Sequence, residues 1–485
     1  MGNKLVWRSS STDDSHPEPI ERKRKLEDHS VGQCKITACS TAAGACLSRS
    51  ERHFKRRRPH DPFERLPEDL LGTILSKLPL KEVVRTCVLS KKWRHSWRVC
   101  PKLCFDGSAI CGTGMFGRLQ VHKFIDRVNA VLQQHHGTVV EELAVKFGFD
   151  PILVDHLNNW VSFAVLSKTK ILALDLVPVT FGADDDRYTF PFELLDSASI
   201  SRLQRIQLSF VKFIPPSLFR GFPNLRKLDL RLVHASAKDL QDVLSNCCKL
   251  EWLSMVSVKN CTTTKVEIHA INLATFVYKG PQIPIDLSKA LGLENVNISF
   301  HRVTLEHVIC ALPNELSNMQ SLTLRAIFDL RKMPYLIENP CKFSQMKHLQ
   351  LQFVCLEDVN MSLVSLLRAA PSIETLEMHF SVRAYLYVGM EPLSRLPKYT
   401  HSHLKNARIT GFVASKGQLE FLEHVAENAP ALEVLTVDTT NFVVTKDPWE
   451  DCDSEAEAQY VAAVCSTARE HVEGKIPTTC CLRIL

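Results

Sequence analysis

The stretch FPNLRKLDLR, from Phe222 to Arg231, places Leu225, Leu228 and Leu230 in the outline L-x-x-L-x-L just behind a proline. The last two leucines alternate with polar residues, which is the pattern of one buried strand face. The same outline can be read twelve times. It occurs at Val140-Leu143-Val145, Ile171-Leu174-Leu176, Leu203-Ile206-Leu208, Leu225-Leu228-Leu230, Leu250-Leu253-Met255 and Leu273-Phe276-Tyr278. It returns at Leu293-Val296-Ile298, Met319-Leu322-Leu324, Met346-Leu349-Leu351, Ile373-Leu376-Met378, Leu404-Ala407-Ile409 and Leu432-Leu435-Val437. First positions step by 20 to 32 residues, a phase that leucine-rich composition alone does not produce.

Each triplet reads as a strand whose apolar positions enter a shared core while the intervening residues face out along a concave surface. Between triplets, Ala237-Leu240-Val243-Leu244 and Leu363-Leu366-Leu367 have helical spacing and would form a convex layer. Pro223 and Pro371 stand just before their strands and end the preceding helix. A single unit cannot bury its own apolar face, so the units must stack. The expected fold is an α/β repeat protein, a leucine-rich-repeat solenoid with curved, parallel concave strands. Near the end, Ser454-x-x-Glu457 forms a capping box for a helix through Val461, Ala462, Cys465 and Val472, with Gly474 at its stop. That helix is expected to cover the open end of the array.

Asp61 to Trp97 reads DPFERLPEDLLGTILSKLPLKEVVRTCVLSKKWRHSW. Pro67 suits a first helical turn, and Glu68 and Asp69 favour the positive end of that helix. Leu70, Leu71, Ile74, Leu75 and Leu78 make one apolar stripe, which Pro79 ends. A second helix is expected from near Lys81-Glu82 through Val83, Val84, Cys87 and Val88, and a third segment from Ser90 through Trp93 to Trp97. Three short helices cannot bury this much Leu, Val and Trp among themselves, so part of that surface should meet another protein.

This run resembles the plant form of the F-box. Leu66-Pro67, Asp69-Leu70-Leu71, Ile74-Leu75, Leu78-Pro79, Val84-Arg85-Thr86 and Val88-Leu89-Ser90-Lys91 followed by Trp93 carry the likeness. A second stretch, His403 to Val437, resembles the FBD region of plant F-box proteins through Leu404-Lys405, Ile409, Gly411-Phe412, Glu420-Phe421-Leu422 and Ala426-Glu427-Asn428-Ala429. It departs from that pattern at Val413-Ala414-Ser415. Physically it reads as strand, helix and strand, with Leu419, Leu422, Val425 and Ala426 as the helix stripe and Asn428-Ala429-Pro430 as its end.

The resemblance implies a substrate-recognition subunit of an SCF-type ubiquitin ligase. On that reading the F-box spans 61–105, the solenoid 106–400, an FBD-like terminal repeat 401–438 and a tail with a capping helix 439–485. Leu66, Pro67, Leu70, Leu71, Ile74, Leu75, Leu78, Val84, Val88, Leu89 and Trp93 would be the Skp1-facing or F-box core set. The implied partners are a Skp1-like adaptor, cullin and RING subunits through it, and a protein substrate. For the substrate, the outward strand positions Lys227, Asp229, Arg231, Trp252, His348, Gln350 and Gln352 offer a mixed polar and aromatic surface. Two other readings remain open: a non-degradative scaffold, and a small-molecule co-receptor of the same complex.

The net charge of +6 is confined to residues 1–60, where thirteen Lys and Arg face seven Asp and Glu, leaving 46 of each sign in the other 425 residues. A neutral body argues against a basic stripe and so against nucleic-acid binding. Residues 1–60 lack any period and are expected to be disordered. Their clusters Arg22-Lys23-Arg24-Lys25 and Lys55-Arg56-Arg57-Arg58 are nuclear-import candidates or solvated linker. The chain has no apolar run of the ~18 to 20 residues a membrane helix needs, and no signal-peptide core, so a nuclear or cytoplasmic protein is expected.

Seventeen scattered cysteines without a C-x-x-C point to reduced, packed thiols. Cys100 with Cys104, Cys247-Cys248 and Cys480-Cys481 lack a matched second pair for zinc. His135-His136 with Glu141-Glu142 would point to different faces, and Asp184-Asp185-Asp186 lacks the alternation and glycine of a calcium loop. No P-loop, G-x-G-x-x-G, G-x-S-x-G or H-E-x-x-H is present. The expectation is a non-catalytic chain without cofactor or metal.

Overall fold

Among the described residues, fourteen parallel strands lie side by side in chain order, each hydrogen-bonded to the strand of the next repeat. The computed structural model describes residues 67, 70, 73–75, 77–78, 80–85 and 97–485, except 113–117, 138, 182–185, 245, 260–265, 283–284, 304, 317, 329–341, 356–361, 383–397 and 441–453. The strands are β1 (Lys102–Asp106), β2 (Glu142–Lys146), β3 (Ile171–Asp175), β4 (Arg205–Ser209), β5 (Lys227–Arg231), β6 (Trp252–Val256) and β7 (Thr275–Gly280). After them come β8 (Asn295–Val303), β9 (Ser321–Phe328), β10 (His348–Cys355), β11 (Thr375–Val382), β12 (Asn406–Thr410), β13 (Val434–Asp438) and β14 (Cys481–Ile484).

The alternation of the triplets sets the burial. In β5, Leu228 and Leu230 are fully buried while Lys227, Asp229 and Arg231 face away from the core. Register carries the apolar rows from repeat to repeat, so Leu228 lies beside Ile206 on one side and Leu253 on the other. Backing the sheet are α2 (Arg118–Gln134), α3 (Val154–Leu166), α4 (Ala237–Leu244), α5 (Ser362–Ala369), α6 (Lys416–Asn428) and α7 (Ser454–Val472), while α1 (Leu80–Arg85) precedes β1. The stripes Ala237-Leu240-Val243-Leu244 and Leu363-Leu366-Leu367 are buried. Between α4 and the next helices, two-residue strands at Val266–Glu267 and Ile285–Asp286 pair in the backing layer instead.

Strand exit uses one recurrent device. The residue just after the last outward strand position has a left-handed backbone in β4, β5, β6 and β12: Phe210 (φ 61), Leu232 (φ 52), Ser257 (φ 54) and Gly411 (φ 66). This bends the chain off the sheet toward the backing layer.

Three expectations are corrected. The second triplet is two residues out of phase, because Leu172, not Leu174, lies beside Leu143 and Ile206. Thr169 fills its first apolar slot, 3% exposed, and Leu176 continues the alternation and mimics a third slot. The sheet also begins before 106: Cys100, Leu103 and Phe105 form an unread triplet inside the expected F-box span, with Cys100 buried and Cys104 on the opposite, exposed face. Finally, α7 does not cap the open edge. It packs beside α6, and the chain then adds β14 to β13, so the FBD-like repeat is followed by one more and β14 is the edge. This is why α6 buries far more than its apolar stripe, including Gln418, Glu420, Phe421 and His424.

Candidate protein-docking surfaces

The F-box stretch separates into outward and inward side chains. Leu70 is 51% and Ile74 38% exposed, one helical turn apart, whereas the adjacent Leu75 is fully buried. Pro67 is exposed and Leu78 half-buried against the core. Val84 lies within α1, whose Val83 is buried and which packs on β1. Leu66, Leu71, Val88, Leu89 and Trp93 lie outside the described residues, as do Arg22, Lys23, Arg24, Lys25, Lys55, Arg56, Arg57, Arg58, Asp184 and Asp185.

The second surface is the helix-free face of the sheet. Each strand offers three outward positions, and register aligns them into three rows. From β4 to β9 these positions hold Arg205, Lys227, Arg231, Lys279 and Arg325, and a single acid, Asp229. Arg231, Lys279 and Arg325 are exposed, and none of them has an ion-pair partner among the described residues. Lys227 Nζ stands 3.5 Å from the centre of the Trp252 ring, a cation–π contact between neighbouring strands. Burial, then the adjacent Arg205 charge, lowers the Lys227 ammonium from its ordinary pKa, and Asp229 opposes the shift.

This corrects the expectation drawn from whole-body charge. The body is neutral in sum and sorted in space. At the positions just before the strands acids and bases pair with one another: Glu141 meets Lys170 at 3.0 Å, Glu251 meets Arg226 at 2.7 Å, and Glu374 meets Lys347 at 3.7 Å and Lys405 at 3.4 Å. Arg205, Lys279 and Arg325 were therefore missed as surface residues, although their place next to an inward triplet residue (Ile206, Tyr278 and Leu324) would have revealed them.

From β9 to β13 the same face is internally bonded. Thr323 Oγ1 donates to Gln350 Oε1 at 3.1 Å, and Gln350 Nε2 reaches His379 Nε2 at 3.0 Å and Glu377 Oε2 at 3.4 Å. With Gln350 donating to Nε2, the Nδ1 proton of His379 goes to Thr410 Oγ1 at 2.7 Å. Arg408 pairs with the nearly buried Asp438 at 3.3 Å. Of the outward residues singled out from the sequence, Gln350 belongs to this network, His348 is exposed and Gln352 half-buried.

The FBD-like repeat supports that half from behind. Gly411 needs its positive φ, and a Cβ there would stand 2.0 Å from Phe380 O. Gln418 spans the turn, accepting from Val413 N at 2.8 Å and donating to Gly411 O at 3.2 Å. His401 and His424 are buried with Nε2 atoms 3.0 Å apart; burial pushes both down to about 4, aided at His401 by His424. Glu423 ties α6 to the end of α7 and the turn after it, meeting His471 and Lys475 at 2.7 Å each. Among the described residues no group of His, Cys, Asp and Glu is placed to hold a metal ion, and no helix is long and apolar enough to cross a membrane.

Residues 131–265 and 248–485 match the family described as At1g61320/AtMIF1, LRR domain, and residues 63–105 match the F-box domain. Among curated Arabidopsis thaliana proteins, the chain is 23% identical over 392 residues to the F-box/FBD/LRR-repeat protein At1g13570, covering 77% of this chain and 90% of that one. It is 30% identical over 197 residues to the F-box/FBD/LRR-repeat protein At3g52680, 40% of each chain. It is 27% identical over 340 residues to the FBD-associated F-box protein At5g56370, 66% of this chain and 75% of that one. The F-box match, the LRR-domain match over most of the chain and the names of these relatives agree, and the chain belongs to the plant F-box/FBD/LRR-repeat family.

Proposed function

We propose that the chain is a non-catalytic substrate-recognition adaptor of an SCF ubiquitin ligase. It docks a Skp1-like protein through the F-box and a protein target through the outward strand face. The observation that carries this is the pair Leu70 and Ile74, left exposed on one helical face while Leu75 beside them is buried. Exposed leucine and isoleucine one turn apart gain by covering, and an adaptor helix or loop would supply the cover. Pro67 joins that outward set, and Leu75, Leu78 and Val83 hold the module to the first repeat. The mechanism is proximity: the adaptor side fixes the chain near a RING-bound conjugating enzyme while the repeats hold the target, so ubiquitin transfer gains from effective concentration and orientation.

Within the face, β4 to β9 is the better target site, because Arg231, Lys279 and Arg325 are exposed without ion-pair partners among the described residues, whereas Gln350, Glu377, His379 and Thr410, and Arg408 with Asp438, are bonded across strands from β10 to β13. The test is co-purification of the full chain with a Skp1-type adaptor. Leu70→Arg with Ile74→Arg should weaken adaptor binding at least tenfold and leave the melting temperature of the repeats unchanged. Undiminished binding by that double variant would remove the adaptor reading.

A further inference from the structure

The outward row at the C-terminal ends of β5 to β9 runs Arg231, Val256, Lys279, Ser299, Arg325. A cation therefore stands on every second strand, with small or apolar residues between. Neighbouring strands lie ~4.8 Å apart, so the three charges are spaced by roughly 10 Å. A polyproline II chain has three residues per turn and rises ~3.1 Å per residue, returning the same face every ~9.3 Å. Carboxylates at every third residue of such a chain would meet Arg231, Lys279 and Arg325 in turn. Two outward rows away, beyond the row that holds Asp229 and Ser254, Lys227 and Trp252 add a cation and an aromatic plane beside one end of the track.

We infer that this track binds an extended acidic segment of a partner protein, with Asp or Glu at i, i+3 and i+6. The inference rests on the reading of this face as the target site and gives that target its chemistry. Charge complementarity is the argument: five cations and one acid lie on the outward positions from β4 to β9. A nucleic acid fits less well. Its charges come at every nucleotide, more densely than the cations here, and base stacking has Trp252 as its one aromatic platform on these outward positions.

The test is fluorescence anisotropy on the full chain with labelled ten-residue Pro/Ala peptides, one with glutamate at every third position and one with the same glutamates contiguous. A single-stranded ten-nucleotide DNA is the third probe. The expectation is that the periodic peptide binds tightest, weakens as salt rises, and loses at least tenfold affinity in Arg231→Gln/Lys279→Gln/Arg325→Gln, with Lys249→Gln unaffected. Because the three side chains are exposed, the triple variant should melt with the parent, and the single variant Lys279→Gln, expected to lose about threefold, provides a milder second reading. Equal affinity for the two peptides, equal binding by the triple variant, no binding by the parent chain, or tighter binding of the DNA would each overturn the inference. None of these readings involves the adaptor, so the F-box reading is judged separately by its own co-purification.

Discussion

The two halves of the strand face share one backbone grammar and use it in opposite ways. From β4 to β9, the charged outward side chains are five cations and one acid, and the exposed Arg231, Lys279 and Arg325 lack ion-pair partners among the described residues. From β10 to β13, Gln350, Glu377, His379 and Thr410 are bonded across strands, and Arg408 pairs with Asp438. Parallel strands at fixed register bring equivalent positions together, so a polar row either satisfies itself sideways or waits for a partner. On the proposed reading the first half gains by binding, while the second gains by staying as it is. The strand-exit turn follows the same division. Its left-handed residue is Phe210, Leu232 or Ser257 in the charged half and Gly411 in the bonded half.

Gly411→Ala should break this comparison most severely. The left-handed backbone disfavours alanine by about 1–2 kcal/mol, and the new Cβ would meet Phe380 O at 2.0 Å, so the backbone of β11 or β12 must move. A total loss of about 4 kcal/mol is expected, since overpacking adds roughly 1–3 kcal/mol. Chemical denaturation of the full chain would measure it. Amide exchange should quicken first around Thr410 and His379, with β5 and β6 little affected. A change of less than about 1 kcal/mol would mean that the turn relaxes and that close approach is not what requires glycine.

Acidification should sharpen the same division with a smaller effect. His401 and His424 have folded pKa values lowered from 6.5 to about 4, so they bind protons in the unfolded chain before they do in the folded one. Their contribution to stability is full above pH 6.5 and is lost as pH falls from there toward 4. At pH 5.5 each has forgone on the order of 1 kcal/mol, and the pair roughly 2–3 kcal/mol. Unfolding measured at pH 7.5 and 5.5 should show that loss, and His401→Gln with His424→Gln should flatten it. An unchanged slope in the double variant would assign the acid sensitivity to other groups.

The repeat was legible because eleven triplets keep their register, and the F-box because its apolar spacing is dense. What stayed hidden had physical reasons. Cys100 and Thr169 fill apolar slots with residues that a leucine template passes over, although both are buried. The last repeat was concealed because β14 is an edge strand, with Leu482 and Ile484 only half-buried and exposed Thr479 at its first slot. Net charge misled because it sums over the whole body, whereas the outward positions from β4 to β9 alone hold five cations and one acid. Trp252 and Lys227 could be read as outward residues, but their contact depends on the 25-residue step between two strands, which only the register fixes.

Ser257 tests the tolerant side of the turn. Its φ of 54 is one that L-residues adopt at a cost and glycine does not, while its side chain is half-exposed and fills no core space. Ser257→Gly should therefore stabilise by about 0.5–1 kcal/mol, the relief of the left-handed strain partly offset by the larger entropy of an unfolded glycine. A shift in denaturation midpoint at constant slope would record it. Because Ser257 follows Val256, which stands between Arg231 and Lys279 in the cation row, the variant should also leave binding of the periodic acidic peptide intact. If stability rose and peptide affinity fell together, the strained exit would be holding the cation track in place. The division between the halves would then lie in the turn as well as in the side chains.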